Sequence, residues 1–320
     1  MGREMSRRNF LVGTAVVAGG AFGLGLWRRR RREQRTLKGA KPHGLSLGEG
    51  QVVVARGADP AANVRRALDA AGGIEKLVSP GDTVVLKPNM AWDLPPNLGA
   101  NANPATVAAV VELCAKAAGP GGRVVVFDRT MSRDPSGPYR TSGIAEAAAS
   151  AGGHVHYVNE ASFYPVAIDG AFALDRWSFY GKVLFADEVD VLINIPAAKT
   201  HSTSGLTLGM KNVFGMVGGE RGELHREIHK KIADLNRVVK VDLTILDATH
   251  VMFRNGPNSP RKSDVDSSPE RAQRIIVGTD RVAVDACGAT LFGKKPQDVG
   301  FVTYGAEAGL GDLNFRTRDV

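Results

Sequence analysis

The run Val189-Asp190-Val191-Leu192-Ile193-Asn194-Ile195 constrains the fold most, because a near-continuous apolar segment needs apolar cover on both of its faces. A central strand of a parallel sheet supplies that cover; a half-exposed antiparallel strand would alternate. Other short strand patterns lie at Gln51 to Ala55, Thr83 to Leu86, Arg123 to Phe127, His154 to Val158, Leu243 to Leu246 and Arg274 to Val277. Helical patterns separate most of them, at Ala61 to Ala71, Pro104 to Ala118, Gly143 to Ala151, Glu223 to Val238 and Arg281 to Phe292. The alternation predicts an α/β fold, a mostly parallel sheet with helices on both faces. At Tyr164 to Ile168 and Trp177 to Leu184 aromatics replace the helix pattern, which predicts a small antiparallel excursion.

The chain has 320 residues, of which 51–320 are expected to form one α/β domain and 42–50 a linker. Residues 1–41 are different in kind. Ser6-Arg7-Arg8-Asn9-Phe10-Leu11 leads into a charge-free, mildly hydrophobic run ending at Trp27, and Arg28 to Arg32 follow directly. This is the pattern of a twin-arginine export signal, which directs folded protein to the periplasm or the outer face of the cytoplasmic membrane through the twin-arginine translocase. With no clear Ala-x-Ala site, both a cleaved signal and an uncleaved N-terminal membrane anchor stand open. The same 41 residues carry eleven Lys or Arg against Glu4 and Glu33, more than the whole chain's net charge of +8. The folded part is therefore nearly neutral, and nucleic acid is not an expected partner.

Two cysteines, Cys114 and Cys287, sit in helical stretches and read as small buried hydrophobes. They exclude a disulfide framework and an iron–sulfur cluster held by this chain alone.

Polar residues gather just past the carboxyl ends of the expected strands: Lys87-Pro88-Asn89, Asp128-Arg129-Thr130, Lys199-Thr200-His201, Asp247 and Thr279-Asp280. In open α/β sheets that edge is where ligands bind. Asp280 reads as a helix cap for the segment from Arg281. Lys87 has no acceptor with which to cap, so its place before Pro88 calls for an anion or a carboxylate partner. The densest stretch, 196–215, sets Lys199, His201, Lys211, Asn212 and several hydroxyls behind the buried strand, a composition suited to phosphate or carboxylate oxygens. It is not a Walker A loop, since Gly205 and Gly209 are too close together and Asn212 follows Lys211.

Taken together, Lys-Pro-Asn at 87–89, Asn-x-Asn-Pro at 101–104, Phe-Asp-Arg-Thr at 127–130, Ile-Pro-x-Ala-Lys-x-His at 195–201, Gly-Leu-Thr-Leu-Gly-Met-Lys-Asn at 205–212, Ile-Ala-Asp-Leu-Asn at 232–236, Arg-x-Gly-Pro at 254–257 and Val-Ala-Val-Asp-Ala at 282–286 resemble the domain of unknown function 362 family. The resemblance spans nearly all of 51–313. It implies twin-arginine leaders in members of this type and, in other members, attached ferredoxin modules; this chain carries none, so a redox role would depend on a partner protein. Family members often continue with further glycines after the Gly-Pro pair, where this chain has Asn258-Ser259-Pro260-Arg261-Lys262.

His225 and His229 stand at i and i+4 in the expected helix, a spacing that divalent-metal sites use, with Asp128, Asp247 or His201 as a third ligand. The plainer reading is a solvated helix face. His154 and His156 on a strand read as structural. The site expected from the residues therefore has Lys87, Asn89, Lys199, Lys211 and Asn212 binding a small anion, His201 or His225 moving a proton, and Asp128 or Asp247 orienting the base or a metal. Two functions fit: an exported enzyme acting on a small anionic substrate or bound cofactor, or a noncatalytic ligand- or cofactor-binding maturation protein of the cell envelope.

Overall fold

The computed structural model describes residues 35–320 except Arg133, so the twin-arginine segment lies outside the described residues. Its elements in chain order are β1 (Gln51–Arg56), α1 (Pro60–Ala70), β2 (Thr83–Pro88), α2 (Pro104–Ala118), β3 (Arg123–Val126), α3 (Ser136–Thr141), α4 (Ile144–Ser150) and β4 (His154–Val155). There follow β5 (Phe163–Ala167), β6 (Arg176–Tyr180), α5 (Gly181–Leu184), β7 (Val191–Ile195), β8 (Ala197–His201), β9 (Gly205–Thr207), α6 (Gly209–Asn212) and α7 (Ile228–Val238). The chain closes with β10 (Leu243–Met252), β11 (Val265–Asp266), β12 (Arg274–Gly278), α8 (Arg281–Thr290), α9 (Gly300–Glu307) and β13 (Arg316–Asp319).

The main sheet runs β13-β1-β12-β10-β7-β2-β3-β4, and β5 with β6 forms a separate antiparallel pair. The expected α/β class, the mostly parallel sheet and the antiparallel excursion are all present. Along β7 the burial alternates between two cores, as the period of a strand requires. Val191, Ile193 and Ile195 join the core with α1, α2 and α4, while Leu192 joins the core with α7, α8 and α9. Cys114 and Cys287 are both buried and free, as small core residues.

Three features depart from the sequence reading. First, β12 runs antiparallel to both β1 and β10, so Thr279 and Asp280 fall on the edge opposite the other polar strand ends. Asp280 caps α8 there, accepting the Val282 and Ala283 amides. Second, 197–207, where the sequence pattern predicts no strand, is a hairpin. The ten-residue β10 outruns β7 and pairs onward with β8, which pairs with β9. The polar residues of this hairpin hide its strand pattern, yet Lys199 on it is 1% exposed.

Third, the stretch expected as a basic flank and linker is packed down. Lys38 is buried with Nζ 2.7 Å from Asp242 Oδ2, Lys41 pairs with Asp82, and Arg35 reaches Asp187 and Glu188. Gly44 and Ser46 donate to Lys76 and Ala71 carbonyls, and Leu45 is buried. Asp82 and Asp242 immediately precede β2 and β10, so this strap crosses the amino-terminal edge of the sheet. Among the described residues no helix is long and apolar enough to cross a membrane.

Candidate anion site at the strand carboxyl ends

The site begins with a buried ion pair. Lys87, the penultimate residue of β2, meets Asp128 just past β3, with Nζ 2.9 Å from Oδ1 and both side chains 1% exposed. The angles at Oδ1 fall outside hydrogen-bond geometry, whereas Oδ2 accepts the Met90 amide at 2.7 Å. Desolvation pushes the Lys87 ammonium down from its ordinary value, and Asp128 opposes that shift.

From this pair an amide chain links four elements. Asn212 Oδ1 accepts from Lys87 Nζ at 2.7 Å and from Asn89 Nδ2 at 2.9 Å, while Asn212 Nδ2 donates to Asn194 Oδ1 at 2.8 Å. Lys199 Nζ donates to Asn89 Oδ1 at 2.6 Å and to the Ala100 carbonyl. Lys87, Asn89, Asn194, Lys199 and Asn212 thus each have a partner, which fixes the cradle before any ligand arrives. The short helix α6, which carries Lys211 and Asn212, is held by Asp285 of α8: Oδ1 accepts the Gly209 amide at 2.6 Å and Oδ2 the Met210 amide at 2.8 Å. Burial raises Asp285 to about 7.

Glycine is required at 215. A Cβ there would lie 1.8 Å from Asp128 Oδ1 and 2.5 Å from Lys87 Cε, so the chain can pass over the ion pair only without a side chain.

Above this floor lies a cavity of about 310 Å³, a small-molecule size. Its lining includes Lys87, Lys199, Lys211, Arg129 and Arg221 against the single carboxylate of Asp128. Lys211 differs from the other two lysines. Its Nζ lies 3.8 Å from the Phe214 ring centroid, and among the described residues it has no carboxylate or carbonyl partner. Burial pushes both Lys199 and Lys211 down to about 7, reinforced by neighbouring cations: Lys87 acts on both, and Arg221 on Lys211. Arg221 braces the wall, Nη1 donating to the Arg129 carbonyl at 2.7 Å and Nη2 to the Thr130 carbonyl at 2.6 Å. A second, more open cleft of about 510 Å³ adjoins beyond Arg221, with Glu160 and Glu220 in its lining.

Two imidazoles face the cavity with different roles. His201 Nδ1 accepts the Thr203 and Ser204 amides at 3.1 and 3.3 Å, which leaves the proton on Nε2. Burial and the nearby lysines push this ring down to about 3, so it is a neutral donor, not a base, at ordinary pH. His225 Nδ1 sits 3.2 Å from the Arg221 carbonyl, an acceptor only, so its neutral ring carries the proton on Nδ1 and a lone pair on Nε2. The two rings stack with centroids 5.7 Å apart.

The residues read from sequence are therefore brought together in part. Lys87, Asn89, Asp128, Lys199, His201, Lys211, Asn212 and His225 all line the cavity. Asp247 does not. Its oxygens accept the Thr249 and Asn103 amides, bracing the start of α2, and Asn103 in turn caps that helix. His229 is also elsewhere. Glu227, at φ 54°, breaks the expected helix between a 3-10 turn at Arg221–His225 and α7, so His225 and His229 do not share a helix face. His229 packs on Phe301 with centroids 6.2 Å apart. Among the described residues no group of three or more His, Cys, Asp or Glu side chains is placed to hold a metal ion.

Sequence reasoning missed Arg221, Trp92 and Met131. Arg221 opens a short 3-10 turn inside a glycine-rich stretch with no strand or helix period to place it. The signal for Trp92 was the Asn-x-Asn-Pro motif: Asn101 Oδ1 accepts the Trp92 amide at 3.0 Å and Asn101 Nδ2 donates to the Trp92 carbonyl at 2.9 Å.

Among known proteins, the chain is similar to a thylakoid-associated protein of Synechocystis sp., at 29% identity over 238 residues that make up 70% of each chain. The family model described as Domain of unknown function (DUF362) matches residues 84–290, which include every cavity-lining group named above, so this chain belongs to that family.

Proposed function

We propose that this protein is an exported enzyme that binds a small anion, a phosphate or carboxylate, in the cavity at the carboxyl ends of β2, β3 and β8. The observation that carries the reading is the Lys211 ammonium: it lines a cavity with cations in excess and meets an aromatic face where an oxyanion would otherwise sit. Lys87, Asn89, Lys199 and Asn212 shape the floor. Asp128 holds Lys87 in place. His225, with its free Nε2, takes a proton from the bound substrate, and His201 Nε2–H stabilises the charge that develops. Burial that leaves Lys211 near neutrality gives a second group able to exchange protons at physiological pH.

A noncatalytic binding or maturation role is the second reading. It is favoured by one observation, that Lys87, Asn89, Lys199 and Asn212 are already paired with protein groups and form a rigid cradle. Thermal shift against phosphate, sulfate and small carboxylates tests the anion site common to both. Turnover, with loss on replacing His225, separates them.

Export through the twin-arginine pathway rests on Arg7-Arg8 and the apolar run that follows. The strap from Arg35 crosses the edge opposite the cavity, which in an anchored protein would lead the chain toward the membrane away from the site. The thylakoid association named for the Synechocystis relative is compatible with that arrangement.

A further inference from the structure

Resting on the anion reading, we infer that the ligand carries a compact apolar body, such as a single ring, attached to its anionic group. Burial grades the lining: Lys87, Asp128, Lys211 and Phe214 are buried, while Trp92 and Pro257 are partly exposed and Met131 is exposed, so an apolar side of the rim faces a polar side at Ser202 and Thr203.

Met131 is the telling residue. It is one of four large apolar side chains exposed among the described residues, at 51%, and of those four it alone lines this cavity. An exposed apolar side chain at the rim of a cationic cleft carries an unfavourable hydration free energy that an apolar ligand body would relieve by covering it. The rim is also fixed. The Met131 amide donates to the Ala91 carbonyl at 2.9 Å, tying the loop after β3 to the loop after β2, and Asn101 clamps the Trp92 backbone from both sides. A preorganised apolar lip above a free ammonium matches an amphiphilic small molecule better than a bare inorganic ion. The volume of about 310 Å³ stands at the small end of the range for ligand sites, roughly 300–1,000 Å³, and limits the body to about one ring.

Isothermal titration of the full-length chain with two matched pairs, phosphate against phenyl phosphate and acetate against phenylacetate, tests this. In at least one pair the aryl member should bind on the order of tenfold tighter or more, the effect of one well-buried ring. In Trp92→Ala and in Met131→Ser that aryl-to-parent ratio should collapse toward one, with thermal unfolding monitored to establish that each variant is folded. Binding of phosphate or acetate with no aryl advantage overturns this inference and leaves the anion site standing. Binding of none of the four overturns both. A ratio unchanged in both folded variants also overturns the inference.

Discussion

Lys87 Nζ and Asp128 Oδ1 stand 2.9 Å apart at the carboxyl ends of adjacent parallel strands, buried beneath Gly215. The pair is the keystone of the floor, and removing one partner leaves an uncompensated buried charge. Lys87→Met is expected to cost about 3–5 kcal/mol, and the Lys87→Met/Asp128→Asn double variant less than the sum of the two singles. Urea unfolding of the four proteins measures the coupling; additive losses would show the two groups acting independently.

Gly215→Ala introduces a methyl group where Asp128 Oδ1 lies. The backbone must shift to admit it, at a cost of about 1–3 kcal/mol or more, the range for overpacking. Denaturant midpoints should fall, and Lys211 and Phe214, on the same segment, should move with it so that anion affinity falls too.

Much of this arrangement can be read from the residues alone. The apolar runs located the parallel strands because burial on both faces leaves no polar alternation, and Lys87, with no capping role before Pro88, called for an anion or a carboxylate partner, of which the structure supplies Asp128. What sequence hid was long-range pairing. The reversal of β12 moves Asp280 to the far edge, and no local pattern records strand direction. The polar 197–207 hairpin owes its strands to the overhang of β10, and Asp247 spends its carboxylate on the amides of Asn103 and Thr249. The His225/His229 spacing misled because one residue, Glu227, leaves the helical region.

Asp285 positions α6 without touching the cavity. Asp285→Ala leaves the Gly209 and Met210 amides unpaired in the interior, at about 1–3 kcal/mol for each. Asp285→Asn removes the titration and keeps one acceptor, its NH2 leaving the second amide without a partner at every pH. Because the folded value is raised to about 7, this group's contribution to stability is full below its ordinary 3.8 and is lost as pH rises toward 7. Stability of the parent relative to Asp285→Asn should therefore decline between those limits, as followed by urea midpoints against pH.

Anion affinity should depend on pH in the opposite sense to the stability contributed by the lysines. Lys199 and Lys211 are pushed down to about 7, and an anion favours their protonated forms, so affinity should be flat well below pH 7 and fall above it. Between about 7 and 10.5 the unfolded chain holds more protons at these positions, so their effect on stability improves as pH rises. Titrations in two buffers of different ionisation enthalpy should reveal proton uptake on binding near pH 8.

Replacing Arg7 and Arg8 together by Lys should leave folded protein in the cytoplasm without altering its thermal unfolding. Cell fractionation reads the outcome, and normal envelope localisation of the double variant would contradict export by this pathway.

Whether Lys211 receives an anion is read by titration calorimetry of the parent and Lys211→Met with phosphate, sulfate and small carboxylates. Saturable binding of at least one anion by the parent is expected, weakened in Lys211→Met by ~1.5–3 kcal/mol, the scale of a hydrogen bond to a charged group, with the fold retained. Equal binding by the two proteins, or no binding of any anion by the parent, would contradict that role for Lys211.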